Sequence, residues 1–585
     1  SVLSLTAQEQ DREVSAAYTV DSVYEHRTFS SAGEGRIYKI KKGDKCGFVF
    51  LLAKTEAAFE GVTDYHACLS ELERIKTEWS RRLGRIRIKT PDDSINVMMN
   101  GRLQYQTISC RINGRTAFYQ CGGAYGFRDQ LQDSLALLYT EPEEVRSRIL
   151  LHASRQYEEG DVQHWWHPPG NVGIRSRYSD DLLWLVYVTY RYTEATGDSG
   201  ILTEQVAFLH SKPLEANEID RYEAPETTAR TDTLLAHCLL ACKHALSLGE
   251  HGIPLMKGGD WNDGMNRVGI KGKGESVWLG WFLCCCLRAV CKLSLLVPAC
   301  EADRRALLSE ADQIAAAIEK NAWDGNWYVR AFCDDGKILG SSSSSECMID
   351  SIAQSWSVLS GYGDPERSKT ALLSAERFLV DAENGVIKLL TPPFTEASIT
   401  DVGYIASYPP GIRENGAQYT HAAIWLAKAF FQIGRKDPEF AQKGRRLLEM
   451  LNPVNHSRTR LEAARYKTEP YAVAADVYSG SNLGRGGWSW YTGSAAWLYL
   501  VILEEFLGFS VRNYGKDGSA ELLLNPSVPQ EWNEYTIEFL YKETLYVITL
   551  RRQKETEDTF AQEPRVIRLE NDGRRHDVLI PLSPL

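Results

Sequence analysis

The first sixty residues carry short apolar runs, "GRIYKI" and "CGFVFLLA", separated by Gly-, Ser- and Lys-rich turns, a pattern of strands. From Asp64 the period changes. Cys68, Leu72, Ile75, Trp79 and Leu83 recur at steps of three and four, which predicts an amphipathic helix closed by Gly84. Thr90 as N-cap, Pro91 in the first turn and the acids Asp92 and Asp93 predict another helix through "INVMMNGRLQYQ". Helical patterns continue over 142–157, 180–192, 231–248, 276–295, 301–321, 365–380, 418–433 and 494–509. About a dozen helices without intervening strands predict a closed helical barrel, with the chemistry on its long Gly- and Trp-rich loops. After about Gly515 the period becomes two: Tyr535, Ile537, Phe539 and Tyr541 alternate, Lys542 and Glu543 turn, and Leu545, Val547 and Thr549 alternate back. That hairpin predicts a small closing β-sandwich.

Length changes this picture only by requiring more than one core, since 585 residues exceed the ~100–200 of an ordinary domain, so two or three domains are expected. With 66 basic against 77 acidic residues the net charge is −11, which disfavours nucleic acid or an anionic membrane as partner. The thirteen cysteines form no paired CxxC spacing and read as reduced thiols; Cys284, Cys285 and Cys286 sit in the apolar run "WLGWFLCCCLRAV" as small buried hydrophobes. No stretch approaches the ~20 apolar residues of a membrane span and no leader pattern opens the chain, so a cytoplasmic location is expected. The chain opens at Ser1 rather than Met and reads as part of a longer polypeptide.

The densest loop is "GGDWNDGMN", residues 258–266. A glycosidic oxygen leaves poorly as an alkoxide, so its cleavage needs a carboxylic acid still protonated near neutral pH, and apolar neighbours such as Trp261 and Met265 push a carboxyl that way. Asp260 and Asp263 are both candidates, against the plainer reading that each only caps a turn. "GGAYGFRDQLQD" offers Arg128, Asp129 and Asp133 to grip vicinal hydroxyls, or simply starts a helix with Asp129 at its positive end.

In "HWWHPPGNVGIRSRYSDDLLWL", Trp165 and Trp166 offer faces for a pyranose. Pro168 and Pro169 break the helix that would present His164 and His167 to a metal, and no metal site is expected. Ser179, Asp180 and Asp181 read as an N-cap and first-turn acids. "GIRENGAQYTHAAIW" supplies Arg413, Glu414 and, within a helix, His421. In "GRGGWSWYTGSAAWLYL", Thr492 and Gly493 precede a helix, so a hydroxyl, a free amide and the dipole's positive end converge on an anion site that fits phosphate, unless Thr492 merely caps that helix.

Taken together, "GFRDQLQD", "SDDLLWL", "GGDWNDGMN", "RENG" with its later His, and "WYTGSAAW" resemble glycoside hydrolase family 94, the inverting β-glucan and β-glucoside phosphorylases, over about residues 30–550. The wording of "QHWWHPP", "GIRSR" and "DVYSGSNLGRGGWSWYTGSAAW" is most similar to 1,2-β-oligoglucan phosphorylases and to the C-terminal region of cyclic β-1,2-glucan synthases. The resemblance implies a mainly α protein: the end of an N-terminal β-sandwich over 1–60, a helical linker over 61–88, an (α/α)6 barrel over 89–512 and a C-terminal β-sandwich over 513–585. It places Asp263 as general acid, two residues beyond Trp261. Trp261, Arg128, and Asp133 ahead of Asp129, line the sugar, with Arg413 and Glu414 beside them. His421, Thr492 and Gly493 hold phosphate. Arg413 stands where cellobiose and chitobiose phosphorylases carry Lys, which argues against those two substrates.

The expected reaction is reversible phosphorolysis of a β-linked gluco-oligosaccharide, β-1,2 favoured, to α-glucose 1-phosphate, a hexosyl transfer with inorganic phosphate as co-substrate and no cofactor. A homodimer is compatible with this reading. The alternatives are an inverting hydrolase using Glu414 or Asp401 as base, and a trimming or binding module of a cyclic glucan synthase.

Overall fold

In this computed structural model the chain divides into two compact units, residues 1–82 and 83–585. Before residue 65 the structure describes six strands only; beyond it, all residues except 114–121, 216–217, 298–300, 514–518, 553–563 and 583–585. In the first unit Val2–Thr6 pairs with Lys45–Val49, Arg12–Ala16 with Arg36–Ile40, and Thr19–Tyr24 with Arg27–Ala32, all antiparallel. The helix Tyr65–Leu83 follows.

The second unit is rich in helix, with sheets. Six of its helices pack in closed succession: Phe127–Ser134 on Asp181–Thr196, that on Val277–Leu293, then Ser351–Leu359, Thr420–Gly434 and Ser494–Leu500, which returns to Phe127–Ser134. Others lie outside this ring. Pro142–Ala153 packs on the first two members, Leu234–Ala245 on the second and third, Pro365–Leu379 on the fourth and fifth, and Pro438–Leu451 on the fifth. Two outer helices begin with the same Asp-Pro-Glu tripeptide, where Asp364 and Asp437 accept from the amides of Glu366 and Glu439 at 3.1 and 3.3 Å and the proline occupies a position whose N–H is spare.

Five ring helices contribute tryptophans that cluster together, Trp184, Trp278, Trp356, Trp425 and Trp497, and Val277–Leu293 buries a second, Trp281, against Tyr328. Trp425 lies 5.3 Å from Trp356 and 5.7 Å from Trp497, edge to face, and 6.3 Å from Trp184, stacked. Such pairs contribute about 0.5–1.5 kcal/mol each beyond their area burial. Cys284 and Cys286 are buried and Cys285 half-buried.

Four local expectations are corrected. Strands do intervene between helices: Gln163–Trp166 pairs with Gly173–Ser176, and Gln205–His210 with Glu226–Thr233. Asp92, not Thr90, caps the helix Asp93–Val97, and the helical path breaks at Gly101, whose φ of 147° no L side chain adopts readily. The last ring helix is α-helical only to Leu500 and continues as a wider π turn over Val501–Phe506, before Phe509 opens a strand. In the terminal hairpin Tyr541 pairs with Thr544, so Ile537 faces Ile548 and Phe539 faces Tyr546. The buried face of the return strand is therefore Tyr546, Ile548 and Leu550, not Leu545, Val547 and Thr549.

The sheet carrying this hairpin has Ile86–Lys89 at one edge, antiparallel to Thr536–Phe539, and Arg575–Leu582 at the other, parallel to Thr544–Arg552.

Candidate active site

The ten residues that the resemblance places in the site line one cavity of about 220 Å3: Arg128, Asp129, Asp133, Trp261, Asp263, Arg413, Glu414, His421, Thr492 and Gly493. The ring explains why residues so distant in sequence meet. Arg128 and Asp129 lie in the first turn of their helix, His421 in the first turn of Thr420–Gly434, and Thr492 and Gly493 just before Ser494–Leu500. Arg128, Asp129, His421, Thr492 and Gly493 are thus carried at helix N-termini, where unpaired amides and dipoles favour negative charge, while the rest come from loops and from the last turn of Phe127–Ser134.

The two candidate acids separate cleanly. Asp260 is fully buried; its Oδ1 accepts from the Asn262 amide at 3.0 Å and from Arg330 Nη2 at 2.8 Å, while Oδ2 takes the Ser276 hydroxyl at 2.7 Å. Both its oxygens are satisfied within the protein. Asp263 opens a short turn, Asp263–Met265, that faces the cavity, and keeps 32% of its side-chain surface exposed. Burial raises its pKa above the ordinary carboxyl value, against Arg128 and His164, which lower it. Arg128 Nη2 donates to Asp263 Oδ1 at 2.5 Å, and its Nη1 donates to Asp180 Oδ1 at 3.0 Å and to the Asp260 carbonyl at 3.2 Å.

Asp180, expected as a first-turn acid behind a Ser179 cap, stands at the N-cap position itself but makes no capping bond, and instead accepts from Arg128 and from the Trp184 indole at 3.1 Å. Burial pushes its pKa up to about 7.

Trp261 rests on the tryptophan interior, 4.8 Å from Trp425, and meets His421 edge to face at 5.2 Å. Of the paired tryptophans upstream, Trp165 lines the cavity, whereas Trp166 is fully buried against Tyr125 and His152 and offers no face to a sugar.

The opposite wall is the anion corner. His421 is buried, which holds its pKa down at about 3 and keeps the ring neutral, and its Nε2 has no protein partner. Gly493 has no side chain to fill the space beside it: a Cβ there would stand 3.3 Å from both His421 Nδ1 and Asp133 Oδ1. Thr492 Oγ1 accepts from the Ser494 amide at 3.2 Å and shares a hydrogen bond of 2.9 Å with the Ser494 hydroxyl, so it tightens the turn into the helix, whose N-cap is Gly493, while lining the cavity.

Asp133 is fully buried; Arg111 Nε donates to its Oδ2 at 2.5 Å, Oδ1 has no partner, and burial raises its pKa to about 6 against that pairing. Asp129 leaves 44% of its side chain exposed, and although burial would raise its pKa, Arg111 and Arg128 hold it below the ordinary value. The accessible carboxylate of the pair is Asp129.

Arg413 adopts a left-handed backbone, φ 55°, and its guanidinium lies over the Trp488 ring at 4.1 Å. Glu414 has a buried Oε2 that accepts no hydrogen bond and lies 3.5 Å from Arg413 Nε, an ion pair. Asp401 does not line the cavity; 48% of its side chain is exposed, with Lys337 beside it at 3.8 Å.

Sequence reasoning missed Arg111, Tyr404, Tyr408, Tyr419, Trp488 and Tyr491, which also line the cavity. Arg111 left no local signal, since its run also carries Ser109 and Asn113. Its guanidinium lies over Tyr491 at 4.3 Å. His164, weighed only as a metal ligand, lines the cavity too.

The sequence pattern of the glycosyl hydrolase 94 superfamily, catalytic domain, matches residues 78–508. Cyclic beta-(1,2)-glucan synthase NdvB of Rhizobium meliloti is 45% identical over 492 residues, 83% of this chain and 17% of that protein. Solabiose phosphorylase of Paenibacillus borealis is 30% identical over 82% of this chain and 58% of its own. The 3-O-beta-D-glucopyranosyl-beta-D-glucuronide phosphorylase of the same organism is 29% identical over 89% and 60%. The chain thus spans less than two thirds of each of these relatives. With its motifs and the matched span in agreement, this chain belongs to the glycosyl hydrolase 94 superfamily and carries its catalytic domain.

Proposed function

We propose that the chain is an inverting carbohydrate phosphorylase that cleaves a β-linked gluco-oligosaccharide, β-1,2 favoured, with inorganic phosphate as co-substrate and no cofactor. The observation that carries this reading is that one cavity joins a carboxyl raised above its ordinary pKa, Asp263, to the His421, Thr492 and Gly493 corner at a helix start. Phosphorolysis needs one acid and no carboxylate base, because phosphate is itself the nucleophile. Asp263 protonates the glycosidic oxygen, a phosphate oxygen attacks the anomeric carbon from the other face, the old C–O bond breaks, and α-glucose 1-phosphate leaves with the shortened chain. Neutral His421, the Thr492 hydroxyl and the space at Gly493 hold phosphate; Arg128, Asp129 and Trp261 hold the sugar, with Arg413 and Glu414 at its side. The 45% identity to a cyclic beta-(1,2)-glucan synthase supports the linkage. The closed helix succession supports an (α/α)6 barrel between β-sandwich segments.

Two observations favour other readings. Glu414, a cavity carboxylate whose Oε2 accepts no hydrogen bond and is paired only with Arg413, is placed to serve as the base of an inverting hydrolase, which would need the two carboxyls about 6.5–9.5 Å apart. The 17% coverage of the glucan synthase favours a trimming or binding module of a larger protein. Incubation with β-1,2-gluco-oligosaccharides with and without phosphate separates them. Release of α-glucose 1-phosphate only when phosphate is present supports the proposal; undiminished cleavage without phosphate overturns it for hydrolysis, and binding without turnover for the module. Synthesis from glucose 1-phosphate on a panel of β-linked acceptors reads the linkage.

A further inference from the structure

Phosphorolysis conserves protons but moves them across the sugar. When HPO4 2− attacks a glucoside, its hydroxyl proton must end on the departing alcohol, yet that alcohol takes its proton from Asp263 on the opposite face. Each turnover therefore leaves Asp263 as a carboxylate that has to be reprotonated from its own side of the cavity.

Among the described residues, His164 is placed for this. His164 sits on the strand Gln163–Trp166, which is fixed on both sides by pairing with Gly173–Ser176 and Tyr125–Gly126. Its Nδ1 lies 2.8 Å from Oδ2 of Asp181, a carboxylate that is almost entirely buried, and its Nε2 points at Asp263 Oδ2 at 3.9 Å. The Tyr178 ring stacks on the imidazole at 4.4 Å and 21°, fixing its plane. The other charged groups facing it are Arg128, whose Nε lies 3.8 Å from Asp181 Oδ1, and Asp129. Arg128 occupies the other oxygen of Asp263, so Oδ2 is the one left for His164. Burial alone would lower the pKa of His164, but Asp181 and the ionised Asp263 raise it to about 9, so the ring is protonated at neutral pH beside the carboxylate that has just lost its proton. With 17% of its side chain exposed to the cavity, it can recover that proton from water.

We infer that His164, braced by Asp181, is a positioning and proton-supplying residue that reloads Asp263 after each glycosidic cleavage, an inference that rests on Asp263 being the general acid. In that step the Nε2–H proton passes to Asp263 Oδ2, leaving a neutral imidazole whose Nδ1–H still donates to Asp181. Nε2 then takes a proton from cavity water, and the phosphate's own proton is released to solvent on the far side, so the exchange balances.

The test uses the full chain, phosphate and a β-1,2-gluco-oligosaccharide. His164→Ala is expected to lower kcat by about 100-fold, the lower range for loss of one proton-transferring group, with the oligosaccharide KM little changed. Added imidazole should restore a large part of that kcat. Asp181→Asn, which keeps the volume, should lower kcat and move the alkaline limb of its pH profile to lower pH, because His164 then loses its proton earlier. A His164→Ala enzyme with parental kcat overturns the inference. So does a loss that imidazole does not restore, accompanied by an unmoved pH profile in Asp181→Asn. If Asp263→Asn retains phosphate-dependent cleavage, the assignment of the acid has failed instead, a result distinguishable from both.

Discussion

Arg128 donates to Asp263 and Asp180 at once, at 2.5 and 3.0 Å, so a single guanidinium holds both the residue proposed to act on the substrate and a carboxylate that never reaches solvent. Removing it leaves Asp180 buried with only the Trp184 indole. Arg128→Met is therefore expected to destabilise the protein by about 3–5 kcal/mol, the usual consequence of orphaning one half of a buried pair. Urea unfolding at neutral pH checks this, and a loss below about 1 kcal/mol would show that Asp180 is neutral in the fold or reached by water.

The neighbouring carboxylates Asp260 and Asp263 should fail in opposite ways. Asp260→Asn breaks the buried contact with Arg330 and should lower stability by about 3–5 kcal/mol. Asp263→Asn, at a partly exposed position, should leave the melting temperature nearly unchanged and lower kcat by about 100-fold or more. Calorimetry alongside the phosphorolysis assay separates the two, and the assignment falls if Asp260→Asn is the inactive, fully stable variant.

Gly493 has φ −66° and ψ −12°, a conformation that any residue adopts. Gly493→Ala should therefore fold normally while its methyl occupies the space next to His421 Nδ1. The expected outcome is a phosphate KM raised about tenfold or more, near 1.4 kcal/mol of lost binding, with the oligosaccharide KM little affected. Equal changes in both constants would move the phosphate corner elsewhere.

His152 is buried, its Nδ1 hydrogen-bonded to the Arg148 carbonyl at 2.7 Å, and burial lowers its pKa to about 3. A depressed histidine pKa means that the unfolded chain binds the proton first. The neutral ring's contribution is whole above about pH 6.5 and is lost as pH falls toward 3, by about 1.4 kcal/mol for each pH unit. His152→Phe, which keeps a ring between Phe127 and Trp166, should make the fall of stability over that interval shallower; an unchanged slope in urea titrations would show that the imidazole is hydrated.

The site was legible in the sequence to the extent that it is built from short local signals. Loops that enter helices leave a mark of Gly, Asp, Thr and Trp, which brought Arg128, Asp263 and Thr492 forward as candidates, while the family resemblance assigned their roles and that of His421. Arg111 was not, because its partner Asp133 is 22 residues away and nothing in its own run of "SCRIN" distinguishes a buried cation from a solvated one. Local spacing also could not choose between Asp260 and Asp263, since the choice is made by Arg330, 70 residues downstream of Asp260. The hairpin lies where alternation places it, but its return strand runs one residue out of phase with the apolar pattern. Burial follows the pairing of Tyr541 with Thr544, and Thr544 is polar, which hides the buried face from a count of apolar residues.

The strand Ile86–Lys89 bears on where a working fragment can be cut. It enters just before the helices of the ring, yet its only pairing partner among the described residues is Thr536–Phe539. Phe509–Asn513, next in sequence after the family match at residue 508, packs against the ring helix Asp181–Thr196. A recombinant piece trimmed to the matched span would keep every cavity-lining residue but strip a strand of its hydrogen-bonding neighbour and expose the flank of that helix. Such a piece is expected to express as aggregate, so the smallest soluble unit extends through the terminal hairpin at least to Arg552.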